Sequence, residues 1–123
     1  MKTNPVCWFE IYVQDMARAK TFYETVFQCK LDRQESPDME MCMFPMGPDA
    51  TGAGGMLTRK AGLPSGGGGT LVYFGCPDCA VEAGRAVKAG GKLQMAKTSI
   101  GENGYIALVI DTEGNTVGLH SME

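Results

Sequence analysis

An α+β fold built from two similar halves is the class this sequence predicts, and three observations carry it. The first is the opening stretch. Cys7, Phe9, Ile11 and Val13 alternate with Trp8, Glu10 and Tyr12, and Asp15 then leads into a helical stripe of Met16, Ala19, Tyr23, Val26 and Phe27. The second is the return of that pattern, with Leu71, Tyr73 and Gly75 alternating with Val72, Phe74 and Cys76 ahead of Asp78. The third is the run Gly66-Gly-Gly-Gly69 between the two copies, which marks a junction.

Each element has its own reason. A period of two is the signature of a strand with unlike faces, so residues 7–13 predict a strand whose apolar face meets the following helix. Asp15 is a good N-cap because its carboxylate accepts otherwise unpaired first-turn N–H groups. Residues 30–35 predict a weak strand, Ser36-Pro-Asp38 a turn, and residues 39–46 a strand stopped by Pro45 and Gly47-Pro48. The glycine-rich residues 49–55 read as a loop running into a short strand at 54–58. Residues 60–69 read as a flexible linker, since their glycines lack the Lys-Ser/Thr of a phosphate loop. In the second copy Asp78 caps a helix from Cys79 to Ala89, which Gly90-Gly91 ends. Strands are expected at 92–99, 105–112 and 116–121, the last two joined by a tight turn at Glu113-Gly-Asn115. The chain of 123 residues therefore reads as one domain: a first module at 1–59, a linker at 60–69 and a second module at 70–123.

Composition narrows the function classes. The net charge of −3, without a basic run, argues against a nucleic-acid partner. No apolar run is long enough to span a bilayer and no signal peptide is seen, so a cytoplasmic protein is expected. Five cysteines without a secretory signal argue against a disulfide framework, and Cys7, Cys42 and Cys76 read as small buried hydrophobes. Cys76-Pro-Asp-Cys79 has redox spacing, but its counterparts in the first half are Val13 and Met16, so apolar packing is the favoured account. Met39, Met41, Met43, Met46 and Met56 cluster in the first half. Adaptable core filling is favoured over a plastic pocket for an apolar ligand.

Several stretches together resemble a known superfamily: Trp8-Phe-Glu-Ile-Tyr-Val-Gln-Asp15, Phe22-Tyr-Glu24, Leu71-Val-Tyr-Phe74, Ala89-Gly-Gly-Lys92, and Asp111-Thr-Glu-Gly-Asn-Thr-Val-Gly-Leu-His-Ser121. They resemble the vicinal oxygen chelate superfamily of glyoxalases, bleomycin-resistance proteins and extradiol dioxygenases. The closing motif is similar to small glyoxalase-like proteins related to lactoylglutathione lyase. The resemblance implies two tandem βαβββ modules whose curled mixed sheets enclose a cavity, and it makes a homodimer the expected assembly. Metal-dependent members hold a divalent ion on four ligands from the first and last strands of each module. Carried over by position, those ligands fall on Trp8, Leu71, Gly118 and an unassigned residue within 54–58. None is a usual ligand, so no metal and no other cofactor is expected.

Under the same topology Glu10 and His120 each lie two residues beyond a lost ligand position and face the cavity. A carboxyl in an apolar pocket and an imidazole titrating near neutrality suit general acid–base chemistry, in a lyase or isomerase acting on a small organic molecule. In the plainer alternative, Glu10 accepts hydrogen bonds from Tyr73, Tyr105 or Lys97, and His120 is a strand-end residue held by backbone groups. Trp8, Tyr12 and Tyr73 are candidate pocket walls. Lys97 and Tyr105 are weaker candidates for anchoring an anionic ligand. The rival function is non-catalytic binding or sequestration of a drug or metabolite.

Overall fold

A computed structural model describes residues 3–123. The strands and α-helices follow one another as β1 (Val6–Tyr12), α1 (Met16–Phe27), β2 (Asp32–Ser36), β3 (Met39–Met43), β4 (Gly54–Lys60), β5 (Thr70–Gly75), α2 (Cys79–Lys88), β6 (Lys92–Ser99), β7 (Tyr105–Ile110) and β8 (Thr116–Ser121). The fold is α+β, and each half runs strand, helix, strand, strand, strand as the alternation predicted. Two compact units result: Trp8–Thr70, and residues 3–7 together with Leu71–Glu123.

In the first unit the strands lie in the order β2-β3-β4-β1. β1 runs parallel to β4, while β2/β3 and β3/β4 are antiparallel. The parallel pair needs a long crossover, which α1, β2 and β3 supply. Asp15 caps α1 by accepting the Arg18 N–H at 3.1 Å, and Gln28 ends the helix in the left-handed region. Met16, Leu31, Cys42 and Leu57 form the buried core, with Ile11, Val13, Ala19, Tyr23 and Phe44 packed against it. Phe9, Ile11 and Val13 therefore face the helix as expected. Gly55 is required beneath them, because a Cβ there would run into the Phe9 ring.

Residues expected to form a flexible linker are held back on this unit. The Tyr12 N–H donates to the Gly69 carbonyl at 2.7 Å, and the Gln14 side-chain amide donates to the Leu63 carbonyl at 2.9 Å.

The second unit repeats the plan in the order β5-β8-β7-β6, with β5 parallel to β8 and the remaining pairs antiparallel. Its core is Cys79, Ala83, Ala107, Val109 and Leu119, with Phe74, Cys76, Tyr105 and Val117 against it. Asp78 caps α2 through the Ala80 N–H at 3.0 Å, and the Gly91 N–H closes its C-terminus on the Ala86 carbonyl at 2.9 Å. Cys7 departs from expectation: it belongs to this unit, is exposed, and directs its thiol at the Tyr73 carbonyl.

Ser121 does more than finish β8. Its buried hydroxyl accepts the Cys79 N–H at 3.0 Å and donates to the Glu123 carbonyl at 2.8 Å, so it pairs one of the orphan donors of α2. Ser121→Ala is expected to lower the unfolding free energy by about 1–2 kcal/mol. Urea denaturation measures this, and an unchanged midpoint would show that the N–H finds another partner.

Candidate functional site

Alternation along β1 separates two chemistries. Phe9 and Ile11 face α1, and Trp8, Glu10 and Tyr12 face away from it. Register then fixes their neighbours. In β4, Gly54 lies beside Trp8, Met56 beside Glu10 and Thr58 beside Tyr12. In β3, Met43 pairs with Met56 and Met41 with Thr58. One face of the first unit thus carries an indole, a carboxyl, a phenol, a buried threonine and a group of thioethers.

Glu10 is the centre of this face. Its Oε2 accepts the Trp8 indole N–H at 3.3 Å and its Oε1 accepts the Tyr12 hydroxyl at 3.2 Å. Both of these partners are neighbours on its own strand. Burial raises the Glu10 pKa above the ordinary carboxylate range, partly offset by the two donors. Tyr12 is pushed upward as well, first by burial and then by the charge and hydrogen bond of Glu10. A carboxyl held at both oxygens and poised to keep a proton longer than usual is suited to proton transfer.

The core filling that the composition favoured holds for Met16, in the core beneath α1, and for Met56, which is also buried. Met39, Met41 and Met43 are half-buried and alternate onto the Glu10 face. The Met46 sulfur lies over Gly54 beside the Trp8 ring. A pocket of about 360 Å³ does open beneath α1, but it is lined by Phe9, Ile11, Tyr23, Phe27 and Phe44 on the opposite side of the strands from Glu10.

In the second unit Tyr73 and His120 share a face, because Val117, Leu119 and Ser121 turn toward α2. The Tyr73 ring lies against Gly118, where an added Cβ would run into it. His120 Nε2 stands 2.6 Å from the Asn103 carbonyl, so this nitrogen carries the proton and donates it, leaving Nδ1 as the acceptor in neutral imidazole. Lys97 and Tyr105 lie elsewhere. Tyr105 packs on the core under α2, and Lys97 is 2.9 Å from Asp78 and 4.6 Å from the Tyr105 ring centroid. Its hydrogen bond to Asp78 raises the Lys97 pKa and lowers that of Asp78, so its charge already has a partner.

The Cys-x-x-Cys pair is set for packing. Cys79 is wholly buried, and Cys76 is pushed up to about 11, chiefly by burial.

The profile of the Glyoxalase/Bleomycin resistance protein/Dioxygenase superfamily matches residues 6–119. The chain belongs to that superfamily. Its fold is similar to a hypothetical protein from Bacillus halodurans C-125, with a TM-score of 0.72 at 12% identity over 99% of this chain and 96% of that one. It is also similar to methylmalonyl-CoA epimerase from Mycobacterium tuberculosis, with a TM-score of 0.67 at 15% identity, covering 97% and 88% of the two chains. The Streptomyces coelicolor methylmalonyl-CoA epimerase in complex with 2-nitronate-propionyl-CoA gives 0.66 at 13% identity, covering 96% of each. No curated sequence matches the chain.

The two equivalent registers identify the fourth ligand position that the sequence left open. Tyr73 pairs with Gly118 as Glu10 pairs with Met56, so the β4 position is Met56. The set of Trp8, Met56, Leu71 and Gly118 does not fit a hard divalent ion. It offers an indole, a thioether, an alkyl group and a hydrogen, and Tyr73 fills the space above Gly118. Among the described residues no group of three or more His, Cys, Asp and Glu is arranged to hold a metal ion.

A raised carboxyl pKa is also a stability statement. As pH rises the unfolded chain ionises first, so stability falls from the ordinary glutamate range, near about 4.3, up to the folded pKa of Glu10. Glu10→Gln removes that loss. The variant is expected to melt above the parent at pH 7, with the difference gone by about pH 4. Thermal melts across this range test it, and a variant that melts lower at neutral pH would contradict it.

Proposed function

We propose that this protein acts on a small organic molecule by moving a proton at a carbon next to a carbonyl group, with Glu10 as the acid–base residue and no part played by a four-ligand divalent ion. The observation that carries the reading is the half-buried Glu10 carboxyl, fixed by Trp8 and Tyr12 and raised in pKa by burial. Fixed geometry holds the carboxylate ready, and partial desolvation makes it a stronger base than an exposed glutamate. Similarity of fold to proteins named as epimerases supports the reaction class, since epimerisation at such a carbon requires a proton to leave and return. His120 is proposed, from the family resemblance, as a further proton-transfer group; its Nε2 donates to the Asn103 carbonyl at 2.6 Å. The proposed assembly, a homodimer, rests on the family resemblance; light scattering that returns the mass of one chain would overturn it.

Glu10→Gln is expected to abolish solvent-deuterium exchange into a panel of aryl ketones and acyl thioesters, followed by proton NMR in heavy water, while leaving their affinity within about threefold. Exchange that persists in the variant would overturn the role of Glu10. A second reading, non-catalytic sequestration, is favoured by the four ligand positions occupied by Trp8, Met56, Leu71 and Gly118. It predicts tight binding of a panel compound by the parent protein with no exchange at all.

A further inference from the structure

Thr58 is 2% exposed, and its hydroxyl oxygen has no hydrogen-bond partner among the described residues. Its backbone carbonyl is already engaged by the Val13 N–H at 2.9 Å, so the unmet demand belongs to the side chain alone. A buried hydroxyl without a partner is costly, and valine would fill the same volume without the loss. The register sets Thr58 beside Tyr12 in β1 and Met41 in β3, on the face that holds Glu10. It also stands two residues beyond Met56 in β4, as Glu10 stands two beyond Trp8 in β1.

We infer that the Thr58 hydroxyl donates a hydrogen bond to the ligand's carbonyl oxygen, and that the ligand is an uncharged, apolar-bodied carbonyl compound seated against Met41, Met43, Met56 and Trp8. The inference rests on the reading of Glu10 as the proton-transfer group and adds the partner for the oxygen. Glu10 takes the proton from the carbon beside the carbonyl, the C–H electron pair forms the new carbon–carbon double bond, and the carbonyl π pair moves onto oxygen as an enolate forms. Thr58 keeps its own proton and stabilises that oxygen through the hydrogen bond. Return of the proton from Glu10 closes the cycle with no net change of charge or oxidation state. Thioethers and an indole suit an apolar body because they are polarizable and offer it no competing charge. Met41 has the flexible stem needed to move aside as the ligand reaches Thr58.

Thr58→Val and Thr58→Ser test this with phenylacetone, a ketone with an apolar ring and exchangeable protons. Without ligand, Thr58→Val should melt about 4 °C higher than the parent, because it removes an unpaired buried hydroxyl. A lower melting temperature would show that the hydroxyl has a partner within the fold, or a buried water, and would overturn the inference. In deuterium exchange, Thr58→Val should lose about tenfold or more in kcat/KM, and Thr58→Ser should recover most of it. Exchange lost in Glu10→Gln but unchanged in Thr58→Val overturns the role of Thr58 and leaves that of Glu10 standing. Exchange unchanged in both variants, or absent from the parent, overturns both.

Discussion

Parallel pairing of β1 with β4 sets Trp8 beside Gly54, Glu10 beside Met56 and Tyr12 beside Thr58. The rest of the first unit depends on that register. Because side chains alternate, a slip of one residue would turn Glu10 toward α1 and bring Phe9 and Ile11 out of the core side. Leu57 and Cys42, both fully buried, anchor the register from the other face. The hydrophobic core under α1 thus holds the polar face in place without touching it.

That arrangement explains how a carboxyl can be both ordered and reactive. Two donors on its own strand hold Glu10, so no distant loop need be positioned to present it. The burial that raises its pKa costs stability at neutral pH, and the unpaired hydroxyl of Thr58 adds to that cost. Both burdens fall on the same face of the same pair of strands. Polar strain of this kind beside an apolar core is the pattern expected where a chain keeps groups for chemistry rather than for stability.

The second unit shows the same scaffold turned to a different balance. Its register places Tyr73 over Gly118 where the first unit places Glu10 beside Met56, so an aromatic ring stands where the other half has a carboxyl. Lys97 and Asp78 satisfy each other at the start of α2, and His120 is tied through Nε2 to Asn103. The two halves share the backbone plan and differ in the groups on the strand faces turned away from the helices. Fold and chemistry are separable in this superfamily for that reason: the helix-facing residues specify the former and the alternate positions the latter.

The sequence by itself determined the order of elements, their caps and the duplication, because alternation, Asp15, Asp78 and Gly90-Gly91 are local signals. It also singled out Glu10, since a carboxylate among apolar alternating residues is legible without a structure. It did not reveal Thr58, did not identify Met56, and did not show that Met39, Met41 and Met43 share the face of Glu10. Those facts depend on which strand lies beside which and in what register, a matter of contacts between residues far apart in the chain. Lys97 and Tyr105 show the same limit, for their strands carry them to the α2 side and nothing nearby in sequence says so. The opening stretch determined that Glu10 would face away from its helix; only the pairing of β1 with β4 decided what stands next to it.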